Sequence, residues 1–176
     1  MMRANFMKRI VLPELCNDEV GSALLEGALV VPFLFALVLG ALEFSFFYFQ
    51  QHLISTGVRD AARYLARTDP TIASYQTIAQ NLASTGSAAG GSARRVAGFN
   101  PADVAITFTF VANAIDPTTN LRPYREAADE CGGPDQVRII HVIGTYRYTS
   151  LGFLGYFGLS IPTTTVAHAE RCIGPG

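Results

Sequence analysis

Two carboxylates, Glu26 and Glu43, stand in an otherwise apolar part of the chain, and residues 27–42 between them carry no charge. A carboxylate in an apolar helix costs free energy unless it is paired or reaches water, so each is a functional candidate. Glu26 either has a designated partner or lies at a water-accessible interface. For Glu43 we favour an outer-interface or packing role over proton chemistry, and a basic group on another span is the remaining option.

The three cysteines lie on both sides of this apolar part. Cys16 precedes it, whereas Cys131 and Cys172 follow it. If the later part lies outside the cytoplasm, where disulfides persist, Cys131 and Cys172 can pair and Cys16 cannot join them. We expect this disulfide, which would close a loop of about 40 residues. Two unpaired buried thiols are the alternative.

The polar residues show no arrangement typical of an enzyme or a metal site. His52, His141 and His168 are far apart, and the motifs HExxH, CxxC and GxSxG are missing from the sequence. His141 and His168 fall on predicted strands and could approach each other, although a hydrogen-bonded strand histidine is the commoner case. We therefore expect no catalytic residue, no metal and no cofactor. A formal net charge of -1 without a basic stripe gives no support for a nucleic-acid partner.

The apolar part indicates a transmembrane helix. A helix over residues 22–49 would be about 40 Å long, against roughly 30 Å of hydrocarbon. A secretory signal has a shorter apolar region and a small-residue cleavage site, whereas this chain continues into FSFFYFQQ. Arg3, Lys8 and Arg9 precede the span, which favours a cytoplasmic N-terminus and an extracytoplasmic C-terminus. A core helix of a soluble fold is the alternative.

The residues before Glu26 resemble the class III signal of type IV pilins, whose leader peptidase cuts after a glycine. Cleavage after Gly21 would make Ser22 the new N-terminus and Glu26 the fifth residue. A carboxylate is favourable near a helix N-terminus. It can also pair with the free amine of a neighbouring subunit, which specifies register more than it adds stability. Alternatively, Gly21 is a plain helix-entry glycine and Glu26 an interfacial residue.

A longer stretch, GSALLEGALVVPFLFALVLGALEFSFFYFQQHLISTGVRDAARYLA, resembles the TadE-like domain of Tad (Flp) pilus pseudopilins. The family pattern has a glutamate, an apolar run with a proline, a Leu-Glu-Phe and a closing Ala-Ala-Arg-Tyr. The matching positions are Glu26, Pro32, Glu43, Phe44, Ala61, Ala62, Arg63 and Tyr64. The C-terminal TTTVAHAERCIG is similar to the closing strand of the family, whereas residues 69–135 resemble nothing.

The resemblance implies a minor pilin-like component of a bacterial tight-adherence pilus, with a role in pilus assembly and adhesion. Its partners would be the membrane, a prepilin peptidase, other pilin or pseudopilin subunits and the pilus assembly platform. Helix packing in that assembly would involve Glu26, Pro32, Gly40 and Glu43. The processing site would be Gly21 and Ser22.

We predict an α+β fold, in which a long N-terminal transmembrane helix continues into an amphipathic helix packed on a small antiparallel β-sheet domain, as in pilins. The segments are a cytoplasmic leader (1–21), the transmembrane helix (22–49), the amphipathic extension (50–68) and an extracytoplasmic domain (69–176). The extension rests on apolar residues at helical spacing: Leu53, Ile54, Val58, Ala61, Ala62 and Leu65. A second helix is predicted over 71–83, and strands over 104–110, 137–148 and 160–172. For the segment LGFLGYFG a buried loop is the commoner case, whereas exposed apolar surface there would suit contact with a neighbouring subunit or the membrane.

Two functions remain open from the sequence. The first is a structural pseudopilin that is processed by a prepilin peptidase and takes part in pilus assembly. The second is a permanently anchored accessory protein with an extracytoplasmic binding domain, because the family includes TadG-like proteins, which can stay in the membrane uncleaved or differently cleaved. Both place a single-pass protein in the bacterial inner membrane, and the first also allows incorporation into an extracellular pilus. An enzymatic outer domain would require the histidines to cluster in space.

Overall fold

The computed structural model describes residues 19–124, 131–149, 151–156, 158–159 and 163–174. The predicted leader, with Cys16 and its basic residues, therefore lies outside the described residues except for its last three positions. The fold is α+β, as predicted, with one long helix, short helices and a three-stranded antiparallel sheet. The chain forms two compact units, Met1–Leu42 and Glu43–Gly176.

Helix α1 spans Glu19–Arg67 and has 49 residues. Its part in the first unit is apolar, and the helix continues through Pro32. By length and composition, the helix from Gly21 onward is the only one among the described residues that could cross a membrane. This finding indicates a single-pass membrane protein.

Within the second unit, α1 packs on the sheet through residues that recur every three or four positions. These fully buried residues are Ile54, Val58, Ala61, Ala62 and Leu65, which confirms the predicted amphipathic face. Gly144 lies directly opposite, because a Cβ atom there would lie 3.0 Å from Val58 Cγ2 and 3.1 Å from Phe99 Cζ. A glycine at this position therefore lets the helix approach the sheet closely.

The sheet contains β1 (Val104–Ala112), β2 (Gln136–Tyr146) and β3 (Thr164–Arg171), in the order β1-β2-β3. Gly144 pairs with Val104 on one side and with Val166 on the other. All three predicted strands are present. Strand β2 ends at Tyr146, two residues before the predicted end, because the chain then turns so that Tyr148 reaches Glu43 of α1. Residues 160–162 of the last predicted strand lie outside the described residues.

Helix α2 spans Tyr75–Thr85 and starts four residues later than predicted. The side chain of Asp69 accepts a hydrogen bond from the Thr71 amide at 2.8 Å, and such a local turn competes with helix formation. The helix ends at Gly86, whose φ of 78° is left-handed. It packs tightly on α1, because a Cβ atom at Gly57 would overlap the carbonyl oxygen of Ala83.

The connection between β2 and β3 differs from the sequence prediction. It contains a short helix, α3 (Phe153–Tyr156), in which Phe153 and Leu154 are half-buried, whereas Leu151, Tyr156 and Leu159 are exposed. The prediction of a buried loop is therefore wrong for these three residues, and the exposed apolar surface considered from the sequence is present there. In this fold α1 covers the core side of the sheet, and from this segment Leu154 packs against the core.

The residues that follow β3 cap the C-terminal end of α1. The amides of Ile173 and Gly174 donate hydrogen bonds to the carbonyl oxygen of Ala66, at 2.8 and 3.2 Å. This carbonyl is in the last turn of the helix, where backbone acceptors have no partner within the helix. The end of α1 and the end of β3 are therefore joined through the backbone.

Candidate assembly site on the N-terminal helix

The three residues of the predicted processing site lie in the first turns of α1. Gly21, Ser22 and Glu26 are all exposed. Because α1 begins at Glu19, the bond between Gly21 and Ser22 lies within the helix. None of the ion pairs in the described part of the chain includes Glu26. Its carboxylate can therefore take a partner from outside this chain.

The helix surface around and beyond Glu26 is apolar and uncovered. Its exposed side chains include Leu24, Leu25, Leu29, Phe33, Phe35, Val38 and Leu42. Pro32 lies in this part of the helix, where it supplies no backbone donor. A Cβ atom at Gly40 would meet nothing within 4 Å, so a neighbouring helix could approach closely there. Such a surface suits lipid or other apolar helices.

Glu43 occupies a different environment, since it is only 1% exposed. Its Oε1 atom accepts a hydrogen bond from the Tyr148 hydroxyl at 2.8 Å and another from the Leu151 amide at 2.9 Å. The other oxygen, Oε2, is buried without a hydrogen-bond partner in the described part of the chain. Glu43 therefore holds the segment after β2 against α1.

Aromatic rings surround the Tyr148 side of this contact. The rings of Phe46 and Phe47 lie 6.3 and 5.3 Å from the Tyr148 ring, both edge to face. Burial raises the pKa of Tyr148, and the neighbouring Glu43 raises it further. The phenol is therefore a neutral donor at physiological pH.

Comparison with protein families finds a match to the family described as TadE-like protein, over residues 21–63. Residues 21–63 are TadE-like. The match covers α1 from the predicted processing site to within a few residues of its end, and the sheet lies outside it. The TadE-like family is a structural, pilus-associated family, so the match indicates involvement in Tad pilus assembly. A search of curated proteins and of solved structures finds no match.

The TadE-like helix has polar contacts that were not predicted from the sequence. Gln50 is buried, and its Oε1 atom accepts a hydrogen bond from the Tyr146 hydroxyl. The sequence did contain a signal for these contacts, because Glu43 and Gln50 are seven residues apart and therefore share one helix face. Tyr146 and Tyr148 are two residues apart at the end of a strand, and both are buried. The buried face of the TadE-like helix thus begins at Glu43, not at Leu53.

His52 lies on the TadE-like helix, and His141 and His168 lie on neighbouring strands of the sheet. His141 pairs with Ala169 and His168 with Val142, so the two side chains point to opposite faces of the sheet. His141 Nε2 lies 2.9 Å from Thr109 Oγ1, and His168 Nε2 lies 3.0 Å from Glu170 Oε2. In the described part of the chain, no group of three or more potential metal ligands is present. The approach of the two histidines, considered from the sequence, does not occur.

The sheet domain contains the predicted disulfide between Cys131 and Cys172. Both cysteines are buried, and Nη2 of Arg138 donates a hydrogen bond to Cys172 Sγ at 3.2 Å. Cys172 directly precedes the amides that bind Ala66, so the disulfide also anchors the strand that ends at α1. The bond joins residues 41 positions apart.

Proposed function

We propose that this chain is a minor pilin or pseudopilin of a Tad pilus, processed by a prepilin peptidase and packed through its TadE-like helix into a pilus or its assembly platform. One observation supports this most directly. Glu26 is an exposed carboxylate on an apolar helix surface that nothing in the described chain covers. A charged side chain within the hydrocarbon costs about 3 kcal/mol at the centre of the bilayer and less near its edge. A partner charge would offset that cost.

The proposed partner is the N-terminus of a neighbouring subunit. Hydrolysis of the bond after Gly21 creates a protonated amine on Ser22. This amine lies at the start of the same helix, one turn from Glu26, so two adjacent subunits can exchange an ion pair. The pair would form only when the helices are in register, because each charge needs the other in a medium of low polarity. Glu26 would therefore select the register of assembly.

The proposed topology places the sheet domain outside the cytoplasm. The disulfide between Cys131 and Cys172 supports this side, since such bonds persist in oxidising compartments. We propose that the leader comprises residues 1–21 and that the transmembrane helix ends near Leu42, not at residue 49. The reason is that Glu43 and Gln50 are buried by the domain. The domain would then comprise residues from Glu43 onward.

Mass spectrometry of the chain purified from its own bacterium tests the processing step. A mature chain that starts at Ser22 supports the proposal, whereas retention of the residues before Gly21 contradicts it. Assembly is tested by replacing Glu26 with Gln, with Glu26→Asp as the matched control that keeps the charge. We expect Glu26→Gln to be trimmed correctly and to reduce piliation at least tenfold, while Glu26→Asp retains more of it. Normal fibres from trimmed Glu26→Gln subunits would contradict the assembly role.

One observation favours the second candidate function, a permanently anchored accessory protein. Helix α1 begins at Glu19, so a peptidase would have to unwind its first turn before it could reach the bond after Gly21. An uncleaved chain would keep its leader and use the sheet domain to bind a partner. In that case the Gly21→Ala variant and the unmodified chain would keep the same N-terminus, and pilus assembly would be unchanged.

A further inference from the structure

The segment after Tyr148 exposes large apolar side chains. Leu151 is 50% exposed, Tyr156 89% and Leu159 60%. No acidic or basic residue occurs between Tyr148 and His168 in the sequence. Isolated apolar residues are normal on a protein surface, whereas a contiguous uncharged group indicates contact with something apolar. We call Leu151, Tyr156 and Leu159 the apolar foot.

The apolar foot belongs to the same compact unit as the first turns of α1 that follow Leu42. The Leu151 amide donates a hydrogen bond to Glu43 Oε1 at 2.9 Å, which fixes the start of the foot at that helix position. Three aromatic side chains of these helix turns are also exposed: Phe44, Tyr48 and Phe49, at 60, 64 and 58%. Exposed apolar side chains therefore flank Glu43 on the helix, and the foot begins at Leu151, which is bound to Glu43.

The order of residues along α1 indicates where Glu43 lies relative to the bilayer. Glu43 directly follows the uncharged residues 27–42, which belong to the helix that is long and apolar enough to cross a membrane. From Glu43 onward, buried polar side chains such as Gln50 face the domain. The chain therefore leaves the hydrocarbon near Glu43. A segment that is hydrogen-bonded to Glu43 lies at the border of the membrane.

We propose that the apolar foot inserts into the outer boundary of the bilayer that α1 crosses. Tyr side chains suit this boundary, because the ring is apolar and the hydroxyl can reach water. The absence of basic residues means that insertion relies on apolar burial and does not require anionic lipid. The foot holds the domain on the membrane surface through a second attachment beside the helix. This proposal rests on the membrane span, not on processing or pilus assembly.

The chain contains no tryptophan, so one introduced tryptophan reports on the depth of a single site. The full-length Tyr156→Trp variant is reconstituted into phosphatidylcholine vesicles, with and without bromine on the acyl chains near the headgroups. The matched control is Phe110→Trp on β1, which is 58% exposed. Leu159→Trp is a second reporter in the foot, so the test does not depend on one substitution. Iodide in the aqueous phase measures exposure to water.

The brominated lipid should quench about half of the tryptophan fluorescence of both foot variants, because interfacial side chains reach roughly 5–10 Å into the bilayer surface. Iodide should quench these variants weakly, whereas the Phe110→Trp control should respond to iodide and not to brominated lipid. Foot variants that iodide quenches as strongly as the control would overturn the proposal. So would protection from both quenchers, which would indicate a protein neighbour, and equal lipid quenching of the Phe110→Trp control.

Discussion

The hydroxyl of Tyr148 donates a hydrogen bond to Oε1 of Glu43, 2.8 Å away, although 105 positions separate the two residues in the chain. Glu43 belongs to the TadE-like helix, and Tyr148 belongs to a region that has no family match. The contact makes the helix from Glu43 onward part of the folded domain. Loss of this contact should therefore destabilise the domain as a whole and not only the end of the sheet.

Removing the Tyr148 hydroxyl tests this contact. Tyr148→Phe leaves the ring packed on Phe47 but deprives the buried Glu43 carboxylate of one of its two donors. An unsatisfied buried group costs about 1–3 kcal/mol, and more when it is charged. We expect the free energy of unfolding to fall by about 2 kcal/mol, measured by denaturant titration of the full chain in detergent. Tyr156→Phe, which removes an exposed hydroxyl, is the matched control.

A double-mutant cycle separates this hydrogen bond from general packing effects. Glu43→Gln and Tyr148→Phe are made singly and together, and their effects on unfolding should be non-additive, because the residues are in direct contact. Additive effects, or a Tyr148→Phe chain as stable as Tyr156→Phe, would show that the hydrogen bond does not stabilise the domain.

The disulfide should contribute strongly to the stability of the domain. Replacing Cys131 and Cys172 with Ala releases a constraint on the unfolded chain, and for a loop of this length the expected loss is about 4 kcal/mol. Thermal unfolding of the full chain under non-reducing conditions measures it. Cys16→Ala, predicted to lie on the other side of the membrane, is the matched control and should leave the midpoint unchanged. Equal midpoints for the double variant and the control would contradict the prediction.

The elements of the fold followed from the sequence because their patterns are local. The apolar stretch before Glu43 and the spacing of Ile54, Val58 and Leu65 predicted one helix in two environments, as α1 shows. The alternating residues of β1 predicted a half-buried strand, and its core-side Val104 is buried. The start of α2 was predicted four residues too early, since the turn at Asp69 replaces its first helical turn.

The contacts of Glu43 could not be predicted, because they depend on how the end of β2 meets the helix. A glutamate among apolar residues suggested an interface, and nothing local distinguishes water from a buried tyrosine as its partner. The exposure of the apolar foot had the same cause. Whether Leu151 and Tyr156 enter the core depends on which face of the sheet α1 covers, and that is a property of the assembled fold. The Gly21 and Glu26 predictions remain untested.

The contact between α1 and α2 requires a glycine at position 57. A Cβ atom there would overlap the Ala83 carbonyl oxygen, so Gly57→Ala must push the two helices apart. Overpacking of this kind costs about 1–3 kcal/mol, even though alanine favours a helix. Denaturant titration should show that loss. Gly40→Ala is the matched control in the same helix, with nothing within 4 Å of the added atom, and it should not reduce stability. Equal stability of both variants would contradict the close contact.

Alkaline pH should destabilise the domain through its buried tyrosines. Burial raises the pKa values of Tyr146 and Tyr148 above the ordinary value near 10. The unfolded chain therefore ionises first, so stability is full below about pH 10 and is lost as the pH rises towards the raised values. Each phenol adds at most about 1.4 kcal/mol per pH unit to this loss.

Denaturant midpoints between pH 8 and 11 should fall less steeply for Tyr148→Phe than for the unmodified chain, whereas Tyr156→Phe should keep the original slope. Parallel slopes for all three chains would show that the Tyr148 phenol ionises as readily in the folded domain as in water.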